Sequence, residues 1–122
     1  MRSVWESVDK SNSTCERAET AVFGFSHATV GAEIIKTWGL PEGIERAVRD
    51  HHARPFPPDP CTDIVVVSNV VAHAMGEGLG YEGMSLSVDE TVSQRIGIKR
   101  GDFEKICART AGNFTRTLAL YT

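Results

Sequence analysis

Residues 25–52 read FSHATVGAEIIKTWGLPEGIERAVRDHH, and the spacing within them decides the fold. Ser26 is placed to cap a helix, because its hydroxyl can accept a bond from a free first-turn amide. Behind it Ala28, Gly31, Ala32, Ile35 and Trp38 recur at helical intervals and make one apolar face. Gly39 ends that helix. Pro41 opens the next, where a missing amide hydrogen costs nothing. Ile44, Ala47, Val48 and His51 fall on one stripe, while Glu42, Glu45, Arg46 and Arg49 face away. The Gly39-Leu40-Pro41 turn folds the two helices back on each other, with Trp38, Pro41 and Ile44 expected to lock the hairpin.

The flanks extend the helical reading. Upstream, residues 3–22 suit a helix with a weak break near Ser11-Asn12-Ser13, in which Glu16, Arg17, Ala18 and Glu19 run into Val22 and Phe23. Phe23-Gly24-Phe25-Ser26 is a stop followed by a new start. Downstream, four of the five prolines sit between Pro55 and Pro60, so that stretch is a stiff extended loop. Residues 62–76 carry an apolar pattern too long for a typical strand and are expected to form a buried helix, apolar nearly all round. Gly76, Gly78, Gly80 and Gly83 make 76–86 a loop, without the Gly-Lys-Ser/Thr of a phosphate cradle. Ser87-Val88-Asp89-Glu90 reads as a capping box opening a short helix to about Ile96. Asp102 is expected to cap a last helix, with Phe103, Cys107, Thr110, Phe114 and Leu118 on one face. The class is all-α: a compact bundle of five to six helices with no sheet.

Composition narrows the functions. At 122 residues, 41% hydrophobic and 24% charged, the chain is an ordinary globular domain. Thirteen basic residues against sixteen acidic ones give a net charge of −3, so no whole-chain positive field exists to hold a nucleic acid or an anionic membrane. The longest apolar run, residues 64–74, is too short to span a bilayer and carries Ser68, Asn69 and His73. Cys15, Cys61 and Cys107 are odd in number and widely spaced. They read as free, mostly structural thiols in a reducing compartment, which makes the expected location cytoplasmic.

The chemistry rests on histidine. His27 stands at the first turn of one hairpin helix, and His51-His52 at the last turn of the other. Similar helix lengths separate each from the turn, so the three imidazoles can meet around one metal or one phosphate. Consecutive residues on a helix point about 100° apart. His51 and His52 therefore reach one centre only if the helix ends there, as Ala53-Arg54-Pro55 suggests. The plainer alternative is a histidine bonding terminal carbonyls at a helix C-terminus. His73, inside an apolar helix, reads as a satisfied core residue.

Phe25-Ser26-His27, Gly31, Trp38-Gly39-Leu40-Pro41-Glu42-Gly43-Ile44 and Asp50-His51-His52 together resemble the C-terminal portion of an HDOD domain. This family is a bacterial offshoot of the HD superfamily of metal-dependent phosphohydrolases, related to the HD-GYP phosphodiesterases. The resemblance is strongest from about Glu19 to Gly80, including the segment 66–76. It implies an HD-domain-like helical domain over 23–122, with 1–22 as an N-terminal helical extension. It also implies that His27, His51 and His52 match metal-binding histidines of catalytic relatives, as a vestigial site for a divalent metal such as Fe, Mn or Zn.

The same resemblance points away from hydrolysis. No His in the chain is followed by Asp, and Asn69 stands where the family presents an Asp ligand. An amide oxygen is a poor substitute for a carboxylate at a divalent metal. The expected function is a non-catalytic bacterial signalling module, regulatory in role, without a required cofactor. It would act through a protein partner or by self-association as a homo-oligomer, and neither nucleic acid nor membrane is expected as a partner. The alternative is an HD-type metal-dependent phosphohydrolase. A further alternative is a DNA-binding helix-turn-helix over 88–107, with Gly97 in the turn, Ser93 at the crossing, and Lys99, Arg100 and Lys105 toward phosphates.

Overall fold

The computed structural model describes residues 15–53, 57–76 and 88–122. Six α-helices follow one another: α1 (Cys15–Phe23), α2 (His27–Thr37), α3 (Glu42–Asp50), α4 (Pro60–Ala74), α5 (Glu90–Ile96) and α6 (Arg100–Leu118). No strand occurs among the described residues, so the all-α reading holds. The chain forms two compact units, residues 1–65 and 66–122. Of the helix expected over 3–22, α1 is the described part; the break near Ser11 lies outside the described residues, as do residues 54–56 and 77–87 of the two loops.

In the first unit the α2–α3 hairpin forms as its sequence dictates. The Ser26 hydroxyl accepts from the Thr29 amide at 3.3 Å. At the other end of α2, Gly39 takes a left-handed φ of +68°. That lets its amide reach the Lys36 carbonyl and the Leu40 amide reach the Ile35 carbonyl, closing the helix with the paired bonds that glycine permits. Pro41 is the residue just before α3 rather than its first residue, and its carbonyl accepts the Ile44 amide at 2.9 Å.

Small residues make the contact between the two helices. Ala28, Ala32 and Ala47 are buried, and a Cβ at Gly31 would stand 2.9 Å from the Val48 Cγ1. One larger side chain there would force the helices apart. Trp38 does not lock the hairpin: it is 72% exposed, and Leu40 and Ile44 are exposed too. The physical reason is the short approach itself, since helices brought this close by Ala and Gly leave no room for an indole between them.

At the start of α4, Asp59 precedes Pro60 in the usual capping order. Its carboxylate accepts from the Thr62 hydroxyl at 2.8 Å and the Thr62 amide at 3.2 Å. The Thr62 hydroxyl, with help from that amide and from the Arg46 charge, outweighs desolvation and holds the Asp59 carboxyl below its usual range. The expectation that α4 is buried all round fails. Thr62, Asp63, Val67 and Val71 are buried, but Ile64 is 58% exposed and Ser68 is exposed.

The second unit has a core of Val67, Val71 and Val92, packed by Val66, Met75, Val88, Ile96, Ile98, Phe103 and Cys107. Two capping expectations are corrected here. Asp89, not Ser87, caps α5, accepting from the Thr91 amide at 2.8 Å. Asp102 sits in the first turn of α6 and accepts from the Lys99 amide at 3.2 Å, so the helix starts at Arg100. Lys99 is the residue before α6, and the Asp102 carboxylate reaches back to its amide from the third helical position. Gly97, left-handed at φ +70°, joins α5 to α6.

The tight hairpin gives a direct test. Gly31→Leu is expected to lose about 1–3 kcal/mol in denaturant unfolding. Gly43→Ala, on α3 with open space around it, is expected to be neutral or to gain roughly 0.4–1 kcal/mol.

Candidate functional site

Because α3 ends at Asp50, His51 and His52 escape the divergence that a continuing helix would impose. His51 is the residue immediately after the helix and His52 lies in the turn beyond it. The antiparallel hairpin carries His27, at the first turn of α2, to the same end. The ring centroids are 5.5 Å apart for His27 and His51, 4.9 Å for His27 and His52, and 4.0 Å for His51 and His52. One nitrogen from each of the three lies within 4.8 Å of the others. His27 is exposed and the other two half-buried, so the cluster opens to the surface. His73 is half-buried on α4.

The hydrogen bonds fix which nitrogens face inward. Glu19 of α1 is buried, with its carboxylate Oε2 2.6 Å from the His27 Nδ1 and 2.8 Å from the His27 backbone amide, which donates to it. Its Oε1 accepts from the Cys15 thiol at 3.6 Å. Burial pushes the Glu19 carboxyl up, but the bonds from the His27 amide and imidazole outweigh it and hold the group below its ordinary 4.5. A carboxylate kept ionised on Nδ1 keeps the proton there and turns the Nε2 outward. His51 follows the same rule with a neutral acceptor: its Nδ1 is 2.6 Å from the Val48 carbonyl. Histidines that hold metals are oriented in this way by an acceptor on the far nitrogen.

The His27 and His52 Nε2 atoms stand 2.9 Å apart. Two imidazole lone pairs at that distance repel, so a positive centre belongs between them. With His27 protonated on Nδ1, that centre is a proton from His52 or a bound cation. The donor set of three imidazoles suits one borderline-soft divalent ion. It does not suit a bridged pair of metals, which draws on carboxylates. Glu19, the carboxylate at the cluster, has both oxygens engaged in orienting its neighbours.

Glu19 is the residue that reading the sequence for chemistry passed over. It sits eight positions before His27, in a short polar helix. The signal was its register: Cys15, Ala18 and Glu19 share one buried side of α1, and a buried carboxylate calls for a partner.

The turn between α5 and α6 forms as expected for a helix-turn-helix, with Lys99, Arg100 and Lys105 exposed. Arg100 pairs with Glu104 at 3.7 Å. Lys99, Arg100, Glu90 and Glu104 all line one cavity of about 490 Å³, so the charges there are mixed rather than uniformly basic.

Comparison with known families fits this geometry. Residues 1–54 match the HDOD domain family. The matched segment contains Glu19, His27, His51 and His52; it reaches further upstream than the resemblance read from the sequence and stops short of α4. No curated protein and no solved structure matches the chain. No described helix is long and apolar enough to cross a membrane.

Glu19→Gln tests the orienting bond. A carboxyl whose folded value is depressed adds stability above its unfolded value and loses it as pH falls through the folded one. The variant is therefore expected to be less stable by roughly 1–3 kcal/mol at neutral pH. Measured by urea unfolding, the gap to the parent protein should close as the pH drops below 4.5.

Proposed function

We propose that the chain is a non-catalytic signalling module of HDOD type that works by binding protein, its own copies included, through the outer face of α2. The observation that carries this reading is an exposed apolar stripe. Val30, Ile34 and Trp38 follow one another at four-residue intervals and are 42%, 43% and 72% exposed. Phe23 and Phe25, at the corner leading into α2, are half-exposed and stacked with ring centroids 6.1 Å apart. Single exposed apolar side chains are ordinary, but a contiguous row on the face away from the core usually marks an association surface. Aromatic residues, Trp above all, dominate such surfaces energetically. The HDOD likeness supports a bacterial setting and a regulatory role.

The expected result is self-association in light scattering, abolished in Ile34→Glu with helix content unchanged. A monodisperse monomer at every concentration, or association indifferent to that substitution, would overturn the homo-oligomer.

The histidine cluster supports a second reading, an HD-type metal-dependent phosphohydrolase. His27, His51 and His52 would hold the ion, which would act as a Lewis acid on a phosphate oxygen. The engagement of Glu19 with His27 and Cys15 favours the first reading, since it leaves the cluster three neutral ligands. Incubation with zinc, manganese or ferrous ion should give at most one bound equivalent, lost in His51→Ala, and no turnover of a phosphodiester. Stoichiometric metal with turnover that depends on His51 would establish the enzyme instead.

A further inference from the structure

The cavity beside the turn from α5 to α6 lies within the second unit and takes no part in the α2 stripe or the histidine cluster. Its volume is about 490 Å³, inside the usual range of a small-molecule site, roughly 300–1,000 Å³. Val67, Val88, Ile98 and Phe103 form its apolar wall. Val67 is buried in the core of the unit, whereas Val88, Ile98 and Phe103 pack against that core and stay half-buried. Three large apolar side chains thus keep part of their surface on a concave space, where an apolar body of matching size would shed its water.

The polar lining says what kind of molecule carries that body. Four charged side chains line the cavity, two of each sign: Lys99, Arg100, Glu90 and Glu104. Arg100 and Glu104 pair with each other at 3.7 Å along α6. Glu90 accepts from the neutral Gln94 amide at 3.2 Å, which leaves its charge unbalanced. Among the described residues, neither Glu90 nor Lys99 has an oppositely charged side chain within ion-pair distance. They stand on different elements, Glu90 as the first residue of α5 and Lys99 just before α6. One unpaired anion and one unpaired cation over an apolar wall match a molecule that carries both an ammonium and a carboxylate. A simple fatty acid would meet Lys99 but be repelled by Glu90, and an amine the reverse. Both side chains are exposed, so the head groups keep their water while the apolar body is buried.

We propose that this cavity binds a small zwitterion with an apolar body, the chemistry of a free amino acid with a large aliphatic or aromatic side chain. The site does not rest on the α2 surface, and Ile34→Glu is expected to leave it unchanged. The probe is phenylalanine, titrated into the full nitrogen-15-labelled chain beside phenethylamine, which lacks the carboxylate, and phenylpropionate, which lacks the ammonium. Phenylalanine is expected to move the amide resonances of residues 88–104. It should bind at least about tenfold more tightly than either analogue, a difference of roughly 1.4 kcal/mol. Lys99→Ala should remove its advantage over phenethylamine, and Glu90→Ala its advantage over phenylpropionate; both residues are exposed, so neither change disturbs packing. Absence of shifts with phenylalanine, an analogue that binds as tightly, or an advantage that survives either substitution would overturn the proposal.

Discussion

The close approach of α2 and α3 at Gly31 and Val48 governs the first unit. Ala28, Ala32 and Ala47 are buried there, and a Cβ at Gly31 would stand 2.9 Å from the Val48 Cγ1. The short separation sets the histidine cluster, because His27 leaves one helix where His51 and His52 leave the other. It also sets the exposed surface. A seam filled by alanine and glycine takes in no large side chain, so Trp38, Ile34 and Val30 remain on the outside.

Glu19 turns that convergence into a defined arrangement. An imidazole left to itself exchanges its proton between two nitrogens; a buried carboxylate on one side ends the ambiguity. The cluster then presents outward-facing nitrogens with their far sides already bonded, as the Val48 carbonyl also ensures for His51. Three neutral donors held this way can take a proton or one cation. Assembling a hydrolytic pair of metals would ask for negative charge that Glu19, committed to His27 and Cys15, does not bring.

Much of this was legible in the sequence wherever local rules decide. The Ser26 cap, the Gly39 stop, the hairpin and the end of α3 at the histidine pair all depend on residues within a turn or two of one another. The helix expected over 62–76 was separable from a strand by length alone. What stayed hidden depends on a third body. Glu19 reaches His27 across the corner between α1 and α2, and no periodicity marks a bond of that kind. The exposure of Trp38 goes with a seam lined by alanine and glycine. The apolar face of α6 was written in the sequence as a stripe, but the sequence does not state how far along it the core extends.

The first unit thus offers an exposed apolar surface along α2, a pattern suited to recognising protein. The assignment rests most heavily on the locked imidazoles, and nitrogen-15 NMR of the histidine rings reads their tautomers directly. The prediction is that His27 and His51 both carry their proton on Nδ1 in the metal-free protein at neutral pH. Rings protonated on Nε2, or averaging between the two forms, would contradict the account.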